Sequence, residues 1–317
     1  MTSTPTLQDV LLAHARIRPY IHRTPVLTCA GLDRATGARL YFKCENFQKV
    51  GAFKARGATN AVFSLGDEEA ARGVVTHSSG NHAAALAMAA GRRGIPAYIV
   101  MPDNAPQVKK DAVAAYGGRI EFCAPTLKAR EETCARIVAG TGAQLVHPYN
   151  DERVMAGQGT AAVELLEEVP DLDVVLTPVG GGGLLSGTAV AVKGLNGGIR
   201  VIGAEPAGAD DAYRSFRAGE RQPMDNPQTI ADGLRTSLGD KTFPIIRRLV
   251  DDIVTVSEAG IVDAMRRVWQ TMKIVIEPSC AVPLAALLEE RVHLAGKRVG
   301  IVLTGGNVDL DRLPWHA

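Results

Sequence analysis

The 317-residue sequence lacks several features that would point to particular classes of protein. Lys and Arg (35) nearly balance Asp and Glu (34), so no basic surface indicates a nucleic-acid partner or an anionic membrane. No apolar run approaches the length of a membrane span. The first residues lack the positive and apolar regions of a secretory signal peptide. We therefore expect a small-molecule ligand, no nucleic-acid partner and no membrane.

Cysteine is scarce and irregularly spaced. The five cysteines form no C-x-x-C pair and their number is odd, which argues against a disulfide framework or a zinc knuckle. Free thiols are typical of a reducing compartment, so we expect a cytoplasmic location. Hydrophobic residues at 46% and charged residues at 22% suit an ordinary globular protein, and the length suits two α/β lobes or one large one.

From about residue 73 onward, short apolar runs alternate with helical segments. Strands are predicted at 73–76, 97–102, 119–123, 173–180, 199–205 and 299–307. Strands that are apolar throughout and separated by helices indicate parallel sheets covered on both faces. Ligands of such sheets bind at the carboxyl ends of the strands. Four segments of distinctive composition fall there, namely SSGN, GGGG, EPAGADD and TGGN.

Two of these segments are suited to binding anions. The segment 78–82 (SSGNH) would expose backbone N–H groups at a helix N-terminus, although a plain N-cap turn has the same composition. Gly180 to Gly183 allow very close backbone approach and predict a phosphate cradle. No Gly-Lys-Ser/Thr follows, which excludes a Walker loop. The glycines up to Gly187 loosely imitate a dinucleotide fingerprint, and with Glu205 they leave a nicotinamide-dependent dehydrogenase as an alternative.

Lys54 is the candidate for covalent chemistry. A lone lysine is usually a solvated surface charge. Here the neighbours Gly51, Ala52, Phe53 and Ala55 are small or apolar, which favours a lowered pKa and Schiff-base chemistry.

The acidic segment at 205–211 is the candidate for a metal site. Its carboxylates, Glu205, Asp210 and Asp211, are hard oxygen ligands of the kind that divalent cations prefer. A solvated surface loop has the same composition, so both interpretations stay open.

Taken together, the motifs resemble a known family. NFQKVGAFKARG (46–57), THSSGNH (76–82), VGGGGLLSG (179–187) and LTGGN (303–307) are similar in order and kind to the fold-type II pyridoxal-phosphate enzymes. The nearest branch contains serine racemases, serine/threonine dehydratases and 3-hydroxyaspartate dehydratases. The resemblance extends over residues 22–309, nearly the whole chain.

The resemblance implies a two-lobed α/β fold like that of the tryptophan synthase β chain, with mostly parallel sheets covered by helices. A large cofactor-binding domain would comprise residues 1–66 and 151–317, and a small mobile domain residues 72–149. The resemblance also implies a homodimer.

It further implies a cofactor site for pyridoxal 5′-phosphate. Lys54 would hold the cofactor as a Schiff base, with Phe53 beside the ring, Asn81 at the ring's 3′-oxygen and Thr304 at the ring nitrogen. The phosphate would rest on the backbone N–H groups of Gly180, Gly181, Gly182, Gly183 and Leu184.

Substrate and metal residues follow from the same resemblance. The substrate carboxylate would be bound by Ser78, Ser79, Asn81 and His82, with Ser79 also an acid/base on the face opposite Lys54. Mg²⁺ or Mn²⁺ would be bound by Glu205, the carbonyl of Ala209 and Asp211.

The implied reaction is the β-elimination of water from a small β-hydroxy amino acid, giving a keto acid and ammonia. A minor racemase activity through Ser79 would accompany it, with serine racemase as an alternative main activity. Arg130 aligns with an arginine that reaches a second carboxylate, so with Thr236 it would select a 3-hydroxyaspartate over serine or threonine. An exposed helix arginine is the alternative interpretation of Arg130.

Overall fold

The computed structural model describes residues 4–315. The strands in that range are β1 (Val26–Leu27), β2 (Arg39–Cys44), β3 (Val74–His77), β4 (Ala97–Pro102), β5 (Arg119–Cys123), β6 (Gln144–Leu145), β7 (Val174–Pro178), β8 (Arg200–Pro206), β9 (Asp252–Val256) and β10 (Arg298–Leu303). The helices are α1 (Leu7–Ile17), α2 (Ala30–Thr36), α3 (Lys54–Phe63), α4 (Asp67–Ala71), α5 (Asn81–Arg93), α6 (Gln107–Ala115), α7 (Leu127–Thr141), α8 (Glu152–Glu168), α9 (Gly183–Leu195), α10 (Asp211–Ala218), α11 (Thr242–Leu249), α12 (Glu258–Met272) and α13 (Pro278–Leu288).

Six strands form the larger sheet, in the order β1-β2-β10-β7-β8-β9. β1 is antiparallel to β2, and the other neighbours are parallel. Alternate residues of β7 enter different cores: Val174 and Leu176 pack with α12 and α13, whereas Val175 packs with α1, α8 and α9. Burial on both faces explains why the central strands are apolar throughout.

Four parallel strands form the smaller sheet, in the order β5-β4-β3-β6. On one face of this sheet, residues of α3 and α5 pack against Ile99 of β4. On the other face, residues of α7 pack against Val100 of β4. The predicted fold class, α/β with mostly parallel sheets covered by helices, is therefore confirmed. The smaller sheet lies within the predicted small domain of 72–149, and the mobility of that domain stays a prediction.

The sequence-based strand list is incomplete, since it omits β1, β2, β6 and β9. β1 and β6 have two residues each, which is too short for a periodic signal. β2 contains Lys43, and a charged residue interrupts the apolar pattern from which a buried strand is predicted. The structure buries this lysine completely because its Nζ donates to Glu164 at 2.6 Å and to the carbonyl of Thr24 at 2.6 Å.

The four distinctive segments lie at the ends of strands, as predicted. SSGN follows β3, GGGG follows β7, EPAGADD begins in the last residues of β8, and TGGN follows β10. β10, β7 and β8 are parallel neighbours, so the last three segments share one edge of the larger sheet. Within the described residues no helix is both long and apolar enough to cross a membrane.

Candidate active site

Lys54 is the first residue of α3, and its side chain is half-buried. Its Nζ donates a hydrogen bond to the carbonyl of Pro148 at 2.7 Å and lies 5.1 Å from the centre of the Phe53 ring. Burial lowers the pKa of Lys54 to about 8, against an opposing pull from the Glu277 carboxylate. An amine with such a pKa is partly neutral near physiological pH, as Schiff-base formation and proton removal require.

The loop before Lys54 is tied to the segment after β10. The backbone N–H of Phe53 donates to the carbonyl of Thr304 at 2.9 Å, and that of Gly306 donates to Gly51 at 3.0 Å. These bonds place Thr304 directly beside the lysine loop. Its Oγ1 is buried and has no hydrogen-bond partner among the described residues. A free buried hydroxyl beside Lys54 suits a ring nitrogen as its partner.

The glycine turn, Gly180 to Gly183, is connected to Lys54 by Pro148 and Tyr149, which lie between them. Gly182 has φ +88°, a backbone conformation that glycine adopts without strain. A Cβ at Gly181 would lie 2.3 Å from the ring of Tyr149, so only glycine allows this ring so close. Tyr149 directly follows Pro148, whose carbonyl accepts the hydrogen bond from Lys54. The structure therefore brings the lysine and the turn together, as the sequence predicts.

The turn also leads into the N-terminus of α9, which begins at Gly183. The first N–H groups of a helix have no partners within the helix and carry partial positive charge. Gly180 to Leu184 can therefore offer several N–H groups to one phosphate. The side chain of Thr236 lies beside this turn, since a Cβ at Gly180 would be 3.1 Å from its Oγ1.

The SSGN segment brings a second helix N-terminus to the site. α5 begins at Asn81, and Ser78 and Ser79 are half-buried in the turn before it. The side-chain Nδ2 of Asn81 donates to both carboxylate oxygens of Glu277 at 3.1 Å. Its Oδ1 accepts from Nδ2 of Asn307 at 2.9 Å. Asn81 thus links the start of α5, directly after β3 of the smaller sheet, to Glu277 before α13 and to Asn307 in the segment after β10.

The imidazole of His82 is buried and faces the protein interior. Its Nε2 lies 3.3 Å from the carbonyl of Val146. Since a carbonyl only accepts, Nε2 carries the proton and Nδ1 is an acceptor. Burial also lowers the pKa of His82 well below its ordinary value, so the ring is neutral. The ring therefore has no proton left to donate to a carboxylate. The backbone N–H of His82 is the donor that the residue can offer to a substrate.

Arg130 lies in the first turns of α7, and its Nε is buried with no hydrogen-bond partner among the described residues. Burial lowers the pKa of His77, and the nearby charge of Arg130 lowers it further. The ring of His77 is 5.1 Å from that of His147, which is 4.5 Å from Tyr149. A row of three rings thus connects the surroundings of Arg130 with the glycine turn.

The acidic segment forms a separate buried group beside β8. Glu205 is fully buried and accepts from the backbone N–H groups of Ala212 and Tyr213. Asp211 accepts from the backbone N–H of Leu238 through Oδ2 at 2.8 Å, and its Oδ1 has no partner among the described residues. Burial raises the pKa of Glu205 well above its usual range, and Asp211 raises it further.

Burial likewise raises the pKa of Asp211 to about 6. Two buried acids of this kind, one with a free oxygen, fit a hard divalent cation. No group of three or more His, Cys, Asp or Glu side chains suited to a metal occurs within residues 4–315. Glu205, Asp211 and the carbonyl of Ala209 would thus leave the remaining ligand positions to water.

Sequence reasoning missed three residues of this site. Glu277 precedes Pro278, a pair that signals the start of a helix, but nothing in the sequence indicates that its carboxylate faces Asn81. Asn307 lies in the TGGN motif without a predicted role. Tyr149 carries no signal, because only the fold places its ring on the glycine turn.

Comparison with known proteins agrees with this geometry. A model of the family described as "Pyridoxal-phosphate dependent enzyme" matches residues 17–305. The chain belongs to this family. A beta-hydroxyaspartate dehydratase of Paracoccus denitrificans (strain Pd 1222) is 57% identical over 312 residues, covering 98% of this chain and 99% of that protein. A serine racemase of Arabidopsis thaliana is 53% identical over 310 residues, covering 96% and 93%. The structure of maize serine racemase matches with a TM-score of 0.96 at 48% identity, covering 99% of this chain and 97% of that one.

The predicted family and the pyridoxal phosphate cofactor are therefore confirmed. The same finding overturns the alternative of a nicotinamide-dependent dehydrogenase, since the glycine turn belongs to a pyridoxal-phosphate enzyme. The individual roles of the site residues, the divalent metal and the homodimer stay predictions.

Proposed function

We propose that the enzyme removes water from 3-hydroxyaspartate and releases a four-carbon keto diacid and ammonia. The main support is the half-buried amine of Lys54, whose pKa burial lowers to about 8 and which bonds to Pro148, the residue before the Tyr149 ring that packs on Gly181. The name of the beta-hydroxyaspartate dehydratase at 57% identity points to the same substrate class.

Bound pyridoxal phosphate supplies an electron sink for negative charge at the substrate Cα. Gly180 to Gly183 and Leu184 would hold its phosphate through N–H groups. Phe53 would pack beside its ring, and the hydroxyl of Thr304 would satisfy the ring nitrogen.

Lys54 both anchors the cofactor and moves the proton at Cα. Removal of that proton leaves an electron pair that forms the Cα–Cβ double bond as the Cβ–OH bond breaks. The hydroxide takes up a proton and leaves as water. The resulting enamine becomes an imine, which water hydrolyses to the keto acid and ammonia, so atoms and charge balance.

The substrate's first carboxylate would be bound at the start of α5. Ser78 and Ser79 offer hydroxyl donors there, and Asn81 and His82 offer their backbone N–H groups, which leaves the side-chain amide of Asn81 for the 3′-oxygen of the cofactor.

The second carboxylate of the substrate would be bound by Arg130, with help from Thr236. The buried Nε of Arg130 lacks a partner among the described residues, and a guanidinium binds carboxylates through paired N–H groups. Serine and threonine have no second carboxylate, so they would leave this charge unpaired.

An assay of keto-acid release tests this assignment on serine, threonine and the stereoisomers of 3-hydroxyaspartate. We expect Arg130→Ala to lower kcat/KM for 3-hydroxyaspartate by roughly 10- to 100-fold, as for the loss of one charged hydrogen-bond pair, and to change serine turnover little. Arg136→Ala, an exposed position on the same helix, is the matched control. A preference for serine that Arg130→Ala leaves unchanged would contradict the proposal.

We also propose a minor racemase activity that uses Ser79 as the second acid on the face opposite Lys54. Racemisation requires a proton to return to the other face of Cα, whereas elimination does not. Ser79→Ala should therefore abolish serine racemisation, whereas dehydration should continue with a higher KM, because the substrate carboxylate loses one of its donors. Racemisation at the wild-type rate in Ser79→Ala would refute this role.

The remaining features are the location, the oligomeric state and domain closure. All five cysteines are free, which suits a cytoplasmic enzyme. A homodimer can be tested by light scattering across a dilution series. We propose that residues 72–149 close over the substrate, and that Lys109 and Asp232, whose ion pair of 2.8 Å joins α6 to residues 232–234, help to hold that state. Substrate-dependent hydrogen exchange in α6 tests the closure.

A further inference from the structure

Glu277 is a buried carboxylate to which the proposed reaction assigns no role. It is 5% exposed and directly precedes Pro278 at the start of α13. Its backbone N–H donates to the carbonyl of Gly305 at 2.9 Å. A Cβ at Gly305 would lie 2.6 Å from its Oε1, so the carboxylate is pressed against the segment that carries Thr304. Such a costly buried group needs partners, and its partners identify what it does.

The side-chain partner of the Glu277 carboxylate is Asn81. The Nδ2 of Asn81 lies 3.1 Å from each carboxylate oxygen, as expected for one hydrogen shared between two acceptors. The amide has a second hydrogen on Nδ2, which this contact leaves available. The backbone N–H of Asn307 also bonds to the carboxylate and helps to fix its position.

Asn307 binds the oxygen of the Asn81 amide. Its Nδ2 donates to Oδ1 of Asn81 at 2.9 Å and to the carbonyl of Val50 at 2.8 Å. Val50 has φ +57°, an unfavourable conformation for a β-branched residue, and it lies in the loop before Lys54. Both hydrogens of this Nδ2 are thus used to join the lysine loop to Asn81.

These contacts permit only one orientation of the Asn81 amide. A flipped amide would place its oxygen against the ionised form of the Glu277 carboxylate, where two acceptors repel. It would also place its nitrogen against Nδ2 of Asn307, where two donors meet. An asparagine without such neighbours could present either end at similar cost.

We infer that Glu277 and Asn307 are positioning residues that fix the Asn81 amide so that it presents an N–H, and not its oxygen, to the 3′-oxygen of pyridoxal phosphate. The inference rests on the proposed role of Asn81 in binding the cofactor. A donor at this oxygen stabilises its ionised form, which absorbs in the visible, over the protonated form, which absorbs in the near ultraviolet. Glu277 therefore acts through Asn81 on both the affinity and the spectrum of the cofactor.

The test uses Glu277→Gln, Glu277→Leu, Asn81→Ala and the double variant Asn81→Ala/Glu277→Leu. Each protein is stripped of cofactor, checked for folding by circular dichroism, and titrated with pyridoxal phosphate. We expect Glu277→Leu to weaken binding roughly 10- to 100-fold and to shift absorbance from the visible to the near ultraviolet. Glu277→Gln keeps an oxygen acceptor of the same shape, so it should recover most of the affinity and the visible band.

The double variant separates positioning from a general structural role. If Glu277 acts through Asn81, Glu277→Leu has little further effect once Asn81 is alanine. Glu258→Leu is the control, because this carboxylate also accepts a backbone N–H, from Ile230 at 2.8 Å, but lies outside the site. It should leave the affinity and the spectrum unchanged.

Two results would overturn the inference. One is a folded Glu277→Leu protein with wild-type affinity and wild-type spectrum. The other is an equal loss from Glu277→Leu with and without Asn81, which would show that Glu277 acts on the cofactor directly or on the fold. A wild-type chain that binds no pyridoxal phosphate would instead refute the proposed function, so the two failures are distinguishable.

Discussion

The guanidinium of Arg56, in the buried interior next to α3, donates two hydrogen bonds to the carboxylate of Glu164, at 2.9 and 2.7 Å. Arg56 also donates to Glu45 at 2.7 and 2.8 Å, and Lys43 donates to Glu164 at 2.6 Å. Two cations and two carboxylates therefore balance. Arg56 comes two residues after Lys54, so this cluster anchors the first turn of α3.

Removing one member should destabilise the fold strongly, because it leaves a buried charge unpaired. We expect Glu164→Leu to lower the free energy of unfolding by about 3–5 kcal/mol, measured by urea denaturation. Glu167→Leu is the matched control on the same helix: Glu167 pairs with Arg23 at 2.6 Å on the surface, where an ion pair contributes about 0–1 kcal/mol. Similar losses in the two variants would contradict this account of the cluster.

The sequence predicts which segments lie at the strand ends, but it does not predict the hydrogen bonds between distant residues of the site. Apolar strands followed by SSGN, GGGG or TGGN carry local signals, so the strand ends and the glycine turn emerge from short windows. The contact between Asn81 and Glu277 joins residues 196 positions apart, and no local pattern encodes it. Lys43 shows the same limit, since only its distant partner Glu164 explains why a charged residue lies in a buried strand.

Lys54 should be indispensable for chemistry and dispensable for folding. We expect Lys54→Ala to abolish the covalent cofactor band in the visible spectrum. Keto-acid release should fall by at least 10²- to 10⁴-fold, the usual contribution of a general base. Lys128→Ala, an exposed lysine on α7, should retain both. A normal visible band in Lys54→Ala would show that another lysine carries the cofactor.

His147 should make the fold sensitive to acid. Burial lowers the pKa of His147 from 6.5 to about 3, with smaller effects of His77 and Lys54. Between those values the unfolded chain binds more protons than the folded one. Stability therefore rises with pH across this range, and the contribution is lost as pH falls below 6.5.

We expect His147→Asn to reduce that slope by up to about 1.4 kcal/mol per pH unit, the value for one proton. Asparagine can still accept the backbone N–H groups of Tyr149 and Asn150, as Nδ1 of His147 does. His293→Asn, at an exposed position, is the control. Glu277, whose pKa is raised to about 7 by burial, contributes a slope of opposite sign, which cancels when the variants are compared with wild type. Parallel curves for His147→Asn and wild type would rule out this source of acid sensitivity.

The buried acids beside β8 should make stability depend on divalent cations. Burial raises the pKa of both carboxyl groups, the charge of Asp211 raises that of Glu205 further, and Oδ1 of Asp211 lacks a partner among the described residues. A bound cation would offset that cost, so Mg²⁺ or Mn²⁺ at a hundred times its Kd should add about 2.7 kcal/mol to the free energy of unfolding. Asp211→Asn should abolish this gain, whereas Asp210→Asn should keep it, because Asp210 pairs with Arg214 at 2.8 Å outside the buried group. Thermal unfolding at several cation concentrations, before and after chelation, measures the difference. A gain that survives in Asp211→Asn would place the cation elsewhere.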